Sequence, residues 1–299
     1  MIVLVARIAF LLLAGSLVGL ISSFFGVGAC FIMVPVMIHS FEKFFSVPTG
    51  LAPMLAFGTN MAVVVPTALS GVLRHRIELK KRKLHFPREH YVNFASFVGI
   101  GSASGSLFAY VLFSSFRESA GILLKTLFGI ACLIGAYRFL TAKPLAIEEL
   151  KRPEKAKYAI FGFIGGFIAH FIGIGGGIVY MPVLNAILKI PIHYAVGISL
   201  GSMVVGSSVG AVSFGILGRI DQLKHPELYP PMTFGWFNLI AFLGLGLTSV
   251  VSAQLGPRLA HMTSPKKFKV LLALVYLYIG LRLAIRGVFQ LMGQAPPIP

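Results

Sequence analysis

The sequence predicts an all-α polytopic membrane protein built from two tandem repeats of about four transmembrane segments each. Hydrophobic residues make up 57% of the chain and charged residues only 12%. A soluble globular domain contains about 25% charged residues. Long apolar segments also follow one another along the chain, and several short motifs recur in the same order in its two halves. Most of this protein is therefore expected to lie in a bilayer.

Eight apolar segments are visible, at 3–40, 50–73, 92–113, 120–140, 156–188, 194–217, 234–255 and 267–287. About 20 apolar residues span a bilayer, so six of these segments are predicted to cross it once. The first and fifth are too long for one crossing, and each contains a cluster of glycines. We therefore predict eight spans, or up to ten crossings if the two long segments are hairpins.

The fifth segment contains a glycine-rich motif at Phe171–Pro182, FIGIGGGIVYMP, and the first contains a partial copy at Phe24–Pro35, FFGVGACFIMVP. A glycine in a helix interior costs roughly 1 kcal/mol relative to alanine. Several together predict an interrupted helix, which a membrane tolerates only where protein or a water-filled cavity covers the backbone. Each repeat is thus expected to begin with a broken helix.

The duplication extends beyond these loops. Gly26, Gly28 and Pro35 match the second loop at an offset of 147, and Arg76-Ile77-Glu78 matches Arg219-Ile220-Asp221 at an offset of 143. We predict a first repeat at 1–140, a polar, basic, cytoplasmic linker at 141–157 and a second repeat at 158–299. Internal repeats of this kind are common in secondary transporters.

The formal net charge is +17, with most Lys and Arg residues in short loops between apolar segments. This is the positive-inside pattern, together with attraction to anionic lipid, and nucleic-acid binding is not expected. Parallel and inverted repeats both place 18 basic residues inside and eight outside, so charge does not choose between them.

The two glycine loops predict a binding site for an anion near the bilayer midplane. A broken helix presents unpaired N–H groups and about +0.5 of a charge where its second half begins. The alternative is that the glycines only allow close helix packing. The predicted substrate-binding residues are Gly26, Gly28, Gly58, Thr59, Asn60, His170, Gly173, Gly175, Gly176, Gly177, Gly201 and Ser202.

Polar side chains complete this hypothesis, each with an ordinary alternative. Thr59, Asn60 and Ser202 can donate to an anion, or bond back to their own helices. His170 can couple a proton to the anion, or be a core histidine bonded to a backbone carbonyl.

Lys125 is either an anion counter-charge or a lysine that snorkels to the interface. Trp236 and Tyr229 are predicted to be interfacial anchors.

All nine acidic residues fall in loops or at segment ends. Cation sites and proton relays in membranes usually use buried carboxylates, so an anionic or neutral solute is favoured, although backbone carbonyls also bind Na⁺. Cys30 and Cys132 are predicted to be buried thiols. No catalytic or metal-binding motif is present, and neither enzymatic activity nor a cofactor is expected.

In these motifs the chain resembles the TauE/SafE family of sulfite exporters and related anion permeases. The likeness rests on GVGACFIMVP at 26–35, GIGGGIVYMP at 173–182, Gly58-Thr59, Gly201-Ser202 and the Arg-Ile-acid ends, and it covers about residues 10–287. It implies transport of sulfite, sulfonates or other small sulfur-containing anions, in many cases export. Ala29-Cys30 departs from the family, which often has further glycines there.

The predicted function is a secondary permease in the cell (plasma or inner) membrane that moves a small oxyanion or organosulfonate by alternating access. An anion channel and a non-transporting membrane scaffold or assembly factor are the alternatives. The expected partners are a small anionic solute, membrane lipid and a coupling ion, either proton or sodium. The sequence leaves the oligomeric state open.

Overall fold

The computed structural model describes residues 12–21, 30–81, 83–141, 150, 153–255 and 265–295, which form a bundle of helices. The helices are α1 (Leu12–Ile21), α2 (Cys30–Phe44), α3 (Leu51–Lys81), α4 (Arg88–Thr141), α5 (Lys155–Phe171), α6 (Gly177–Pro182), α7 (Ile192–Lys224), α8 (Leu239–Ala253) and α9 (Pro265–Leu291). A π-helical stretch, Val183–Ile187, continues α6, and a 3₁₀ turn, Pro226–Leu228, follows α7. Strands β1 (Thr233–Phe234) and β2 (Phe237–Asn238) form a short antiparallel hairpin.

The all-α membrane class is confirmed. Within the described ranges, three helices are long and apolar enough to cross a membrane: Leu51–Lys81, Arg88–Arg138 and His193–Lys224. Shorter apolar helices cover Leu12–Ile21, Gly177–Ile187 and Leu239–Ala253. Of these three helices α3 is the most enclosed, since 78% of the residues in its most apolar 18-residue stretch are buried. It packs against α2, α7 and α8.

Helices α3 and α7 pack side by side in opposite directions. His75, near the end of α3, contacts the carbonyl of His193 at the start of α7, with 2.6 Å between Nε2 and O. Farther along, a Cβ atom placed on Gly210 of α7 would lie 3.3 Å from Met61, in the first half of α3. Residue numbers rise along one helix as they fall along the other, so the two helices are antiparallel.

Helix α4 consists of two arms, 88–116 and 118–141, joined at Arg117, whose backbone is not helical (φ 40°, ψ −104°). The first arm runs in the same direction as α7. Tyr91 lies against Gly201 near the start of both helices, and Arg117 pairs with Asp221 near the end of both.

The second arm of α4 instead follows α3. Gly121 lies against Gly50, just before α3 begins, and Phe128 stacks on Phe57 one to two turns later. Because α3 and α7 are antiparallel, the two arms of α4 are antiparallel as well. They correspond to the segments predicted at 92–113 and 120–140.

Glycines let α1 pack closely on α8. A Cβ atom on Gly15 would lie 2.4 Å from the carbonyl oxygen of Leu245, and one on Gly19 would lie 1.9 Å from that of Ser249. Small residues permit such close approach in membrane proteins. The order of these contacts shows that α1 runs parallel to α8.

Candidate functional site

The predicted interruption of the fifth segment is confirmed. Helix α5 ends at Phe171 and α6 begins at Gly177. Between them Gly173, Gly175 and Gly176 have φ angles of 71°, 68° and 95°. L-amino acids rarely adopt positive φ, so the glycines are needed for this turn.

The chain folds back after the break. A Cβ atom on Gly165 of α5 would lie 3.4 Å from the ring of Tyr180 and 3.6 Å from Val179, both in α6. Residues 14 and 15 positions apart along a straight helix would be separated by more than about 20 Å. The fifth segment is therefore a helical hairpin with its tip at the glycines.

Two residues from the first half of the chain contact this tip. The Nδ2 atom of Asn60, in α3, donates to the carbonyl oxygen of Gly173 at 3.0 Å. A Cβ atom on Gly175 would lie only 2.6 Å from Sγ of Cys30, the first residue of α2. Both side chains are completely buried. The tip of the hairpin thus meets the beginning of α2 and the middle of α3.

His170 lies one turn before the tip and is completely buried. Its Nδ1 atom is 2.9 Å from the carbonyl oxygen of Gly166, the arrangement expected of a core histidine. Its ring packs against Gly206 and Gly210 of α7, and its Nε2 atom has no hydrogen-bond partner among the described residues. The imidazole therefore has one satisfied nitrogen and one unused nitrogen.

Several buried polar atoms near the tip or on the helices around it lack a hydrogen-bond partner among the described residues: Asn60 Oδ1, Ser106 Oγ, His170 Nε2, Tyr180 OH, Ser202 Oγ and Ser207 Oγ. Ser202 shares one face of α7 with Gly206 and Gly210, since the three are spaced four residues apart. The Tyr180 hydroxyl lies against Gly176. An unpaired buried polar group costs about 1–3 kcal/mol, so this cluster indicates a place that a polar ligand would satisfy.

Sequence reasoning missed Tyr180 and Ser106. Tyr180 lies in the glycine motif itself, four residues after Gly176, and that spacing was the available signal. For Ser106 the available signal was its spacing of four residues from Ser102, on an apolar arm of α4. The hydroxyl of Ser102 itself donates to the carbonyl of Val98.

Three of the predicted residues have structural contacts. The Thr59 hydroxyl accepts a hydrogen bond from the backbone N–H of Asn238 at 3.0 Å. Gly58 lies against the backbone of Trp236, and Gly201 lies against the ring of Tyr91. A binding role for these three positions stays a prediction. Gly26 and Gly28 lie outside the described residues.

Trp236 is not an exposed interfacial anchor, which corrects the prediction for this residue. Its side chain is fully buried and packs on Phe113 and Phe214, and its Nε1 atom donates to the hydroxyl of Tyr229. Tyr229 in turn donates to Asp221 at 2.7 Å. Burial and this hydrogen bond raise the pKa of Tyr229, so its hydroxyl remains a donor. The loop between α7 and α8 is thereby fixed over the end of the first arm of α4 and the end of α7.

Lys125 does not lie at the hairpin tip. Its Nζ atom is 3.3 Å from Oε1 of Glu42, near the far end of α2, and its side chain is only 2% exposed. Lys125 is therefore paired with a carboxylate away from the tip and is not the counter-charge of an anion bound there, while its position at the interface stays a prediction. Within the described residues, no group of three or more His, Cys, Asp or Glu side chains is placed to hold a metal ion.

Comparisons with known proteins agree with the motifs. The family model described as sulfite exporter TauE/SafE matches residues 11–283. A probable membrane transporter protein of Methanocaldococcus jannaschii is 28% identical over 94% of both chains. One of Bacillus subtilis is 24% identical over 94% of this chain and 98% of its own length, and one of Haemophilus influenzae is 26% identical over 91% and 97%. No solved structure matches.

Proposed function

Because the chain belongs to the TauE/SafE sulfite exporter family of membrane transporters, we propose that it is a secondary transporter for a small anion. The proposed substrate is sulfite, an organosulfonate or a related sulfur oxyanion. The substrate binds where the α5–α6 hairpin tip meets α2 and α3. The observation on which this proposal chiefly rests is the set of buried hydroxyl groups at and around the tip that lack a hydrogen-bond partner among the described residues and can donate to an anion.

The chemistry of the tip suits an anion. The N–H groups of Gly177 and Ile178 open α6 and precede its first hydrogen bonds, which Val179 and Tyr180 make to the carbonyl of Gly176. Asn60, Tyr180 and Ser202 add side-chain donors. Asn60 also pairs with the carbonyl oxygen of Gly173, which otherwise would face a negative solute.

We further propose that the two repeats are inverted. The corresponding helices α3 and α7 run in opposite directions, and so do the second arm of α4 and α9, where Thr126 lies against Gly287 and Leu133 against Gly280. Helix α2 is antiparallel to α3. Cys30 lies near Val64, and the carbonyl of Phe41, near the other end of α2, accepts a hydrogen bond from the N–H of Val47, just before α3. Helix α8 runs parallel to α3, since Thr59 contacts Asn238 and Thr67 contacts Ser249, and α1 runs parallel to α8. Helices α1 and α2 are therefore antiparallel, as α5 and α6 are, and we propose ten crossings by the described helices.

A pair of matching contacts supports the inverted relation. Gly58 lies against Trp236, and Gly201 lies against Tyr91. The glycines correspond at an offset of 143 and the aromatic residues at an offset of 145. Each repeat thus places an aromatic residue, from just before or within the first turn of its third helix, on the second helix of the other repeat. Alternating access around a site at the repeat interface is the transport mode typical of such folds.

His170 is proposed to carry a proton with the anion. We expect wild-type transport of an organosulfonate to rise from pH 8 to pH 5, because the negative charge of the bound anion favours the protonated imidazole, whose Nε2 then becomes a donor. The His170→Ala variant should transport at a rate that does not rise over this range. A sulfonate keeps its charge throughout, so the substrate does not titrate. Parallel pH profiles for the two proteins would exclude this role.

Uptake into proteoliposomes tests the function itself. The panel consists of sulfite, thiosulfate, sulfate, sulfoacetate and acetate. We expect saturable uptake and counterflow for at least one sulfur oxyanion and little uptake of acetate. Uptake that does not saturate would indicate a channel, and no uptake of any anion would indicate a scaffold.

A further inference from the structure

A second polar site lies away from the hairpin tip. A cleft bounded by α2, the second arm of α4 and α9 encloses about 480 Å³ of empty space, part of which is open to solvent. Its walls are partly apolar, with Ile38 and Ile279 among them, and its ionisable lining residues are His39, Glu42, Lys125, Arg282 and Arg286. Glu42 is 12 residues beyond Cys30, which is about 18 Å along the helix axis.

Lys125 is the most deeply placed charge in this cleft. Its side chain is 2% exposed and that of Glu42 is 13% exposed. A lysine ammonium has three N–H donors, and among the described residues Lys125 donates one hydrogen bond, to Oε1 of Glu42 at 3.3 Å. This distance is longer than the roughly 2.7–2.9 Å of a strong charge-assisted bond. The single carboxylate therefore leaves much of the ammonium unsatisfied.

Two arginines add further positive charge. Arg282 and Arg286 are one turn apart on α9, and both line the cleft. The Nε atom of Arg286 is buried and has no hydrogen-bond partner among the described residues. With His39 neutral, the lining contains three cations and one carboxylate, a net charge of +2. Like charges that line one partly buried cleft are unfavourable unless an anion compensates them.

We propose that this cleft binds a tetrahedral oxyanion group, either as a free phosphate or sulfate or as the phosphate headgroup of a lipid. The planar guanidinium of Arg286 pairs with two oxygens of such a group, and Lys125 binds a third. Glu42 holds Lys125 in place and competes with the ligand for it. The apolar walls accommodate an acyl chain when the ligand is a lipid, as in other basic pockets between transmembrane helices.

Thermal unfolding of the delipidated full-length protein in detergent tests this proposal. One arm titrates sodium sulfate against sodium chloride at constant ionic strength. The other titrates a short-chain phosphatidylglycerol against the matching phosphatidylcholine. A ligand that binds only the folded protein raises the melting temperature in a saturable way. The apparent Kd from this titration is compared among four proteins: the wild type, Arg286→Gln, Glu42→Gln and Lys43→Gln. Lys43 is an exposed neighbour on the same turn of α2, and its variant is the control for removal of one positive charge.

We expect saturable stabilisation of the wild type. The apparent Kd should be about tenfold weaker in Arg286→Gln, because a charged hydrogen bond is lost. It should be tighter in Glu42→Gln and unchanged in Lys43→Gln. Saturation by sulfate that is weakened in Arg286→Gln identifies a free oxyanion in the cleft as sufficient, whereas saturation that is unchanged in Arg286→Gln places the sulfate elsewhere and overturns the proposal. Saturation by phosphatidylglycerol alone identifies a lipid headgroup. Absence of saturation by either ligand would overturn the proposal. An apparent Kd in Glu42→Gln equal to that of the wild type would also overturn it. This second criterion applies even if Arg286→Gln does not fold.

Discussion

Replacing Asn60 by aspartate is expected to reduce anion transport about a hundredfold at pH 8, which corresponds to ~2.7 kcal/mol. The substitution keeps the shape of the side chain but exchanges its Nδ2 donor for a second oxygen. An ionised carboxylate would then face both the carbonyl oxygen of Gly173, now 3.0 Å from Nδ2, and the incoming anion. At pH 5 we expect partial recovery, because a protonated carboxyl group donates a hydrogen bond as the amide does.

Asn185→Asp is the matched control for this measurement. Asn185 is also a buried amide that donates to a backbone carbonyl, that of Ile190 at 3.0 Å. It lies away from the tip, in the π-helical stretch that continues α6. Transport by this variant should fall only as far as its yield of folded protein falls. Wild-type transport by Asn60→Asp at pH 8 would show that this amide does not face the substrate.

Replacing Gly175 by alanine is expected to reduce transport at least about tenfold, or ~1.4 kcal/mol. The residue has a φ of 68°, and the added Cβ would lie 2.6 Å from Sγ of Cys30. The left-handed backbone alone costs roughly 1–2 kcal/mol for an alanine. The clash would additionally push the hairpin tip away from α2.

The double variant Gly175→Ala/Cys30→Ala separates these two effects. It removes the sulfur atom that the new Cβ would meet but keeps the backbone strain, so we expect partial recovery and a favourable coupling between the sites. Gly215→Ala is the control, since a Cβ atom there meets nothing within 4 Å. Unchanged transport in Gly175→Ala would mean that close contact between the tip and α2 is not needed.

The helices were largely predictable, because apolar length and glycine clustering both act locally. The segment predicted at 50–73 corresponds to α3, and the glycine break in 156–188 is found between Phe171 and Gly177. The direction of the repeats was not predictable from charge, which gave the same count for both arrangements. The proposal that the repeats are inverted rests instead on contacts between helices, such as that of His75 with His193.

The candidate site was predicted in part. Asn60 and the three glycines with positive φ do meet at the tip. Thr59 is adjacent to Asn60 in the sequence, but it points to the α7–α8 loop, where it accepts from Asn238. Neighbouring residues on a helix face directions about 100° apart, so a motif read as a unit cannot show which of its members share a face.

The pairing of Lys125 with Glu42 was missed for a related reason. The two residues are 83 positions apart, and neither has a sequence pattern that indicates the other. Trp236 was misplaced because its loop, although short and partly polar, is folded onto α4 and α7. In both cases the deciding contacts are between distant parts of the chain.

The most direct test of the central claim uses Cys30 as a reporter in a Cys132→Ser background, since these are the only two cysteines in the sequence. The rate of Cys30 modification by N-ethylmaleimide in proteoliposomes is measured with increasing concentrations of a transported anion that does not itself react with the reagent, such as sulfoacetate. We predict that the anion slows modification in a saturable way, with a midpoint near that for transport, because it occupies the space beside the Cys30 thiol. Transport at full rate with no change in the modification of Cys30 would contradict the account.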